Sequence, residues 1–253
     1  MYSYKAGVGY SECSPLGVIT IPALIDHLQD CTMFHTASVG YGLEHYQSRK
    51  RAWFLASWQV VIDEMPKYAE YITLETRAYE FKSIYGMRNV TAANDKGEVM
   101  VKANAIWFLM DLNRGMPTKV PEEEVKDFGL DEKIDMDYAP RKLVLPEGLK
   151  DTGISIECRE SFLDTNRHMN NGQYVRVAYE VLQKVGEGLG VAGVSLENSG
   201  FYPNVKELRV EYKKAAKFGD VLHAYAGTEG STAFIDLCDK EGNSFASASF
   251  RCE

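Results

Sequence analysis

Apolar positions along the chain follow two periods, and the switch between them outlines the elements. After an opening strand, YKAGVGY, the run ITIPALIDHLQDCTMFHTASVGYGLEHY keeps helical spacing and predicts one long helix. Thr20 stands as its N-cap, and Pro22 lies in the first turn, where a missing N–H costs nothing. The period then drops to two. AWFLASWQVVIDE, YITLETRAYEF, YGMRNVTAAN and EVMVKANAIWFLMDL are rich in aromatic and β-branched residues and read as strands, with NDKG as a tight hairpin turn. Between Pro117 and Lys150 the pattern breaks into a charged stretch with Pro121, Pro140 and Pro146, read as a linker with one short helix after Pro121.

The second part repeats the plan. A strand, ISIECRESF, leads to a loop and to a helix over GQYVRVAYEVLQKVGEGLG, followed by strands in KELRVEYKKA, DVLHAYAGT, TAFIDLCD and SFASASFR. At an offset of 150 residues Pro22 faces Gly172, and Val60–Thr76 faces Val210–Ala226. Identities are few, but the order of elements repeats, as expected of a duplicated α+β unit in which a long helix is covered by an antiparallel sheet. The expected boundaries are 1–117 for the first unit, 118–150 for the linker and 151–253 for the second.

Composition narrows the function. A 253-residue chain with 45% hydrophobic residues can build a substantial core. The net charge of −8 argues against general nucleic-acid binding, which needs clustered cations. No apolar run reaches the roughly 18 to 20 residues of a membrane span, and the amino terminus reads as a strand rather than a targeting segment, so a bacterial cytoplasm is expected. Five scattered cysteines without a CxxC indicate neither a disulfide framework nor a zinc ribbon.

The candidate chemistry sits at the entrance of the second helix. Residues 164–171 read DTNRHMNN and put Asp164, Asn166 and His168 into one loop. Asn and Asp are common helix caps, but capping does not call for an acid, an amide and an imidazole together. The helix N-terminus, at Asn171 and Gly172, offers N–H groups and partial positive charge to a developing oxyanion. Elsewhere the signals are weaker. No GxSxG, HExxH or Walker loop is present. The GxGxxG string at Gly188, Gly190 and Gly193 follows a helix rather than a strand and reads as a helix end and flexible loop. His27, Cys31 and His35 would share one helical face, but it faces a sheet and no carboxylate motif converges on it, so no metal is expected.

The run D-x-N-x-H-M-N-N followed by x-x-Y resembles the active-site signature of the acyl-acyl carrier protein thioesterases of plant plastids and bacteria. AWFLASWQVVIDEMPKYAEYITLET, GMRN and KANAIWFLMDLNRGMPTKVPEE are similar to that family's amino-terminal half, and VEYKKAAKFGDVL to its last long strand. The resemblance covers nearly the whole chain. It implies a tandem (double) hot-dog fold, with catalysis in the second half and the acyl chain lodged largely in the first. It also implies hydrolysis of fatty acyl-acyl carrier protein to free fatty acid, with the chain held on the carrier's 4'-phosphopantetheine arm and no cofactor. Carried over by position, Asp164, Asn166 and His168 match the catalytic acid, amide and imidazole. The plant pattern continues with Glu and Cys where this chain has Ala215 and Ala216. A cysteine nucleophile at that position is therefore excluded, and a further carboxylate, if the chemistry needs one, has to come from elsewhere, with Glu180 as a candidate.

Leu28, Phe34, Trp53 and Trp107 are expected to contact the acyl chain. An acidic chain can meet an acidic carrier only through a local basic surface, for which Arg49 and Arg51, or Lys214 and Lys217, are the candidates. A hot-dog acyl-coenzyme A thioesterase and a noncatalytic acyl-sensing module are the alternatives. The sequence leaves oligomeric state open, a homodimer included.

Overall fold

The computed structural model describes residues 1–253, which divide into two compact units, Met1–Ala139 and Pro140–Glu253. The division falls inside the stretch expected to be linker.

The first unit contains β1 (Tyr2–Gly7), α1 (Ile21–Ser38), α2 (Leu43–Ser48), β2 (Arg51–Ile62), β3 (Tyr71–Lys82), β4 (Tyr85–Ala93), β5 (Val99–Asp111), the short β6 (Met116–Pro117) and α3 (Glu122–Phe128). Its antiparallel strands run in the order β1-β3-β4-β5-β2, with β6 on β5. The α1 helix starts where expected: the Ala23 N–H donates to Thr20 Oγ1 at 3.3 Å. Leu24, Leu28, Cys31, Thr32 and His35 recur at helical spacing and are buried. Leu28 is fully enclosed, so its truncation to alanine would cost about 2–5 kcal/mol. The single long helix expected through Tyr46 is two. Gly40 takes a left-handed φ of +89° after α1, a conformation that glycine adopts without steric cost, and the chain re-enters a helix only at Leu43.

Strand alternation explains the rest of this unit. Gln59, Asn104 and Asn89 form one cross-strand row. The segment after α3 binds that polar row. Ile134 N–H and the Tyr138 hydroxyl donate to Asn89 Oδ1, Gln59 Nε2 donates to the Asp137 carbonyl, and Ala139 N–H donates to Gln59 Oε1. Gln59 and Asn89 thus satisfy the backbone of an irregular strap, while Asn104 Oδ1 accepts the Tyr79 hydroxyl at 2.8 Å.

The second unit contains β7 (Lys150–Glu157), α4 (Asn171–Val185), β8 (Gly193–Leu196), β9 (Gly200–Pro203), β10 (Val205–Tyr212), β11 (Val221–Glu229), β12 (Thr232–Cys238) and β13 (Ser244–Cys252). Its order, β7-β11-β12-β13-β10, repeats that of the first unit strand for strand. The face of α4 carrying Tyr174, Val177, Ala178, Val181 and Leu182 is buried. One expectation is corrected here: the glycine-rich stretch after α4 is not simply a flexible loop, because Gly193 begins a β8–β9 hairpin. Phe201 of β9 packs so closely that a Cβ on Gly186 or Gly193 would meet its ring at 2.8 or 2.6 Å. Of the string, Gly193 serves this packing, joined by Gly186 at the end of α4. No helix is long and apolar enough to cross a membrane.

Candidate active site

The DTNRHMNN run is a closed hairpin loop, tied at its base and braced from inside. Leu163 and Met169 pair as a β-bridge, and Asp164 N–H donates to the His168 carbonyl at 2.7 Å. Asp164 Oδ1 accepts two further N–H groups, from Asn166 at 2.8 Å and His168 at 3.1 Å. This clamp holds Arg167 at φ +60°, a left-handed conformation costing a non-glycine residue about 1–2 kcal/mol. The result brings Asp164, Asn166 and His168 into one loop of five residues. Asp164 and His168 are half-buried and Asn166 is exposed. With Oδ1 committed to the backbone, Oδ2 is the remaining carboxylate oxygen of Asp164, and Asn166 Nδ2 lies 3.5 Å from it.

The loop runs directly into α4. Asn170 is the N-cap, and its Oδ1 accepts the Gly172 N–H at 2.9 Å. Of the two expected oxyanion donors, Gly172 therefore directs its N–H to the cap, and a ligand oxygen has to compete with Asn170 for it. On the other side Met169 N–H donates to the Ala216 carbonyl at 2.8 Å, which fixes the loop against residues 214–220. Ala216 N–H in turn donates to the Tyr174 hydroxyl at 2.7 Å. Tyr174 is thus the brace between α4 and the segment where the resembled family would carry its glutamate, a role its place in the sequence motif did not disclose. Burial pushes its phenol well above the usual tyrosine range. Ala215 and Ala216 offer no carboxylate. Glu180 is exposed and nine residues beyond Asn171, about 13 Å farther along the helix, so it is remote from the loop. Asp220 is the nearer acid in the chain path: its carbonyl accepts Cys158 N–H at 2.8 Å, and its carboxylate accepts Lys217 N–H at 2.8 Å. No sequence pattern had marked it.

The first unit holds the same loop without this chemistry. Cys13 and Ile19 form the equivalent bridge, Ser14 N–H donates to the Val18 carbonyl at 2.8 Å, and Gly17 takes φ +74° where the second unit has Arg167. Ser14, Leu16 and Val18 occupy the positions of Asp164, Asn166 and His168. The skeleton is duplicated and the acid, amide and imidazole are present once.

The other expected residues are dispersed. Leu28 and Trp107 are buried, and Trp53 is half-buried with its indole N–H donated to the Tyr46 hydroxyl at 2.8 Å. Phe34 is 46% exposed and packs edge-on against Tyr4. Arg49 reaches His45 Nδ1 at 3.1 Å, and Arg51 opens β2. Lys214 is ion-paired with Asp239 at 3.0 Å and lies over the Phe245 ring, whereas Lys217 is exposed. His27 lies 2.9 Å from Glu12 Oε1, and His35 Nδ1 meets Arg88, so these imidazoles and Cys31 do not converge.

Four of the five cysteines are buried. Burial raises every thiol above its ordinary range, those of Cys31 and Cys238 to about 12 and that of Cys252 to about 11. No thiolate is poised for attack near neutral pH.

Comparison with known proteins gives a consistent set of likenesses. Residues 1–128 match the family model of the acyl-ACP thioesterase N-terminal domain, and residues 158–242 that of the thioesterase-like superfamily. A chloroplastic palmitoyl-acyl carrier protein thioesterase of Gossypium hirsutum is 26% identical over 172 residues, 62% of this chain and 41% of that protein. A chloroplastic acyl-[acyl-carrier-protein] hydrolase of Cuphea viscosissima is 25% identical over 170 residues, again 62% and 41%. The matched region is thus well under half the length of these relatives. Among solved structures, an acyl-ACP thioesterase from Bacteroides thetaiotaomicron superposes with a TM-score of 0.84 at 17% identity, covering 100% of this chain and 97% of that one. The 12:0-ACP thioesterase from Umbellularia californica gives 0.82 at 18%, covering 100% and 96%. The architecture is the tandem hot-dog fold.

Proposed function

This chain belongs to the acyl-ACP thioesterase family, and from that premise we propose that it hydrolyses the thioester of a fatty acyl chain carried on the phosphopantetheine arm of acyl carrier protein, releasing free fatty acid and the carrier thiol. The observation that carries the reading is the single loop in which Asp164, Asn166 and His168 stand at the entrance of α4, set beside a first-unit loop of the same geometry that lacks all three. A binding module would have no use for that difference.

In this reading the thioester carbonyl points at the first turn of α4. Partial positive charge there, with the N–H groups of Asn171 and Gly172, stabilises the oxyanion as water adds to the carbonyl carbon. Gly172 exchanges its bond to Asn170 Oδ1 for one to the substrate. His168 takes the proton from the attacking water and returns it to the leaving thiolate, a task suited to an imidazole. Asp164 sustains the charge on His168 through Oδ2 while Oδ1 keeps the loop in shape, and the Asn166 amide holds water or substrate from the exposed side. The second unit, 151–253, is the catalytic one in this assignment. The first, 1–117, receives the acyl chain through Leu28, Trp53 and Trp107, with Phe34 at its solvent edge, and residues 118–150 connect the two. Carrier docking falls either to Arg49 and Arg51 or to Lys217, and less to Lys214, whose charge Asp239 already counters.

The test is steady-state thiol release by the purified chain from acyl-carrier and acyl-coenzyme A thioesters of equal chain length. The reading requires turnover, with kcat/KM clearly higher on the carrier. Failure to turn over any acyl thioester would sink it, and equal values would transfer it to coenzyme A thioesters.

A further inference from the structure

The face of the first sheet that meets α1 carries an imbalance of hydrogen-bond donors that nothing within the chain resolves. Arg88 on β4 is directed to α1: Nη1 donates to the Thr32 carbonyl at 3.0 Å, and Nη2 donates to His35 Nδ1 at 2.9 Å. Register extends the same face across the sheet. Arg88 pairs with Ala105 on β5, and Ala105 pairs with Trp58 on β2. Two residues on from Ala105, and so on the same face, stands Trp107. Arg88, Trp58 and Trp107 therefore occupy neighbouring positions around one alanine on the face that Arg88 presents to α1.

All three are more than nine-tenths buried, with exposures of 7%, 1% and 8%. The indole Nε1 atoms of Trp58 and Trp107 are enclosed and have no hydrogen-bond partner. Trp53, by contrast, gives its indole N–H to Tyr46. Arg88 uses two of its five N–H donors, on a neutral carbonyl and an imidazole, and lies 5.7 Å over the Phe128 ring; no carboxylate pairs with it. His35 adds no negative charge, since burial and Arg88 hold its pKa down to about 4. Each enclosed donor without an acceptor costs about 1–3 kcal/mol, and a buried cation without a counter-charge more. Packing alone would favour phenylalanine and leucine at these positions. The two indoles lack an acceptor, and Arg88 lacks a counter-charge.

We propose that the α1-facing surface of the first unit is a binding site for an acyl chain bearing an acceptor oxygen of its own, as a hydroxyl, keto or carboxylate group, received by Trp58 Nε1, Trp107 Nε1 and Arg88. This deepens the thioesterase reading and rests on it for the acyl nature of the ligand. A plain hydrocarbon leaves these donors unanswered, whereas an oxygen at the matching carbon accepts from one or two of them. A net hydrogen bond of this type corresponds to about a threefold to tenfold gain in affinity.

The chain's three tryptophans, Trp53, Trp58 and Trp107, all lie on β2 and β5, so intrinsic fluorescence reports on this surface. Free saturated fatty acids of one length are titrated against the same acids carrying a hydroxyl or keto group at successive carbons, and against the ω-carboxylate. Hydrolysis of plain acyl-carrier thioesters is measured on the same preparation. The expected result is one oxygen position that binds at least threefold tighter than the plain chain. Trp58→Phe and Trp107→Phe, which keep an aromatic ring and delete the donor, should each lower that ratio, while Trp53→Phe leaves it standing. No position tighter than the plain acid, or a preference that survives in the double Trp58→Phe/Trp107→Phe variant, overturns the proposal. Turnover of plain thioesters without any oxygen preference overturns this site alone, and oxygen-dependent binding without turnover of any thioester supports the site and removes the thioesterase reading.

Discussion

Asp164 carries two tasks in the proposed mechanism, and two substitutions separate them. Asp164→Ala removes the carboxylate and both loop bonds, to Asn166 N–H and His168 N–H. Asp164→Asn keeps a carbonyl oxygen of the same reach, so the clamp can persist while the charge is lost. At about 1 kcal/mol net per bond in a half-exposed loop, the clamp is worth about 2 kcal/mol. With roughly 2–4 °C of Tm per kcal/mol for a chain of this size, Asp164→Ala should lower Tm by roughly 4–8 °C. Asp164→Asn should lose less than half of that. Catalysis should respond differently. Loss of an acid–base group typically costs about 10²- to 10⁴-fold in rate, or about 3–5.5 kcal/mol of barrier. Both variants should therefore lose at least about a hundredfold in kcat by thiol release, while only the alanine variant is thermally weakened. If Asp164→Asn kept wild-type Tm and more than about a tenth of the wild-type rate, the charge would be dispensable and Asp164 would be a loop former only.

Other expectations follow from the same geometry. Because burial raises all five thiols, iodoacetamide at neutral pH should leave thiol-ester hydrolysis intact, and a Cys158→Ser variant that lost turnover with a normal melting curve would contradict the cysteine-free chemistry. His35 titrates at about 4 when folded and near 6.5 when unfolded, so the unfolded chain binds the extra proton first. Its contribution to stability is whole above about pH 6.5 and is lost as pH falls toward about 4, a window worth roughly 3 kcal/mol; His35→Gln should flatten urea midpoints across that window, and an unchanged slope would refute the assignment. For the carrier, Lys217→Glu and the pair Arg49→Glu/Arg51→Glu should raise KM on the carrier thioester, with little effect on a short uncharged thioester. Lys214→Glu should instead set two acids side by side at Asp239 and lower Tm as well, and equal losses on both substrates would remove the docking assignment.

Much of this architecture was legible because its causes are local. Helical spacing from Thr20 and from Asn170, alternation in the strands and the recurrence at an offset of 150 depend on neighbours a few residues apart, and the duplicated strand order bears them out. The candidate loop was legible for the same reason: Asp164, Asn166 and His168 belong to one turn whose bonds span four residues or fewer. The break at Gly40 was missed because Val39 to Tyr46 keeps enough apolar character to continue the helical pattern past a residue that leaves it. The β8–β9 hairpin was missed because the glycines there signal flexibility until Phe201 is seen packed on Gly193.

By itself the sequence determined the elements, their repetition and the one loop with an acid, an amide and an imidazole, since each is written in contiguous residues. Tertiary structure alone decided the rest. It bonded Gln59 and Asn89 to a strap about 45 to 80 residues away, directed the Gly172 N–H into its cap, paired Lys214 with Asp239, left Glu180 remote from the loop, and gathered Arg88, Trp58 and Trp107 around Ala105. The physical reason is that most of these relations depend on strand register and on the rotation of a helix over a sheet, where a shift of one residue would turn each side chain to the opposite face.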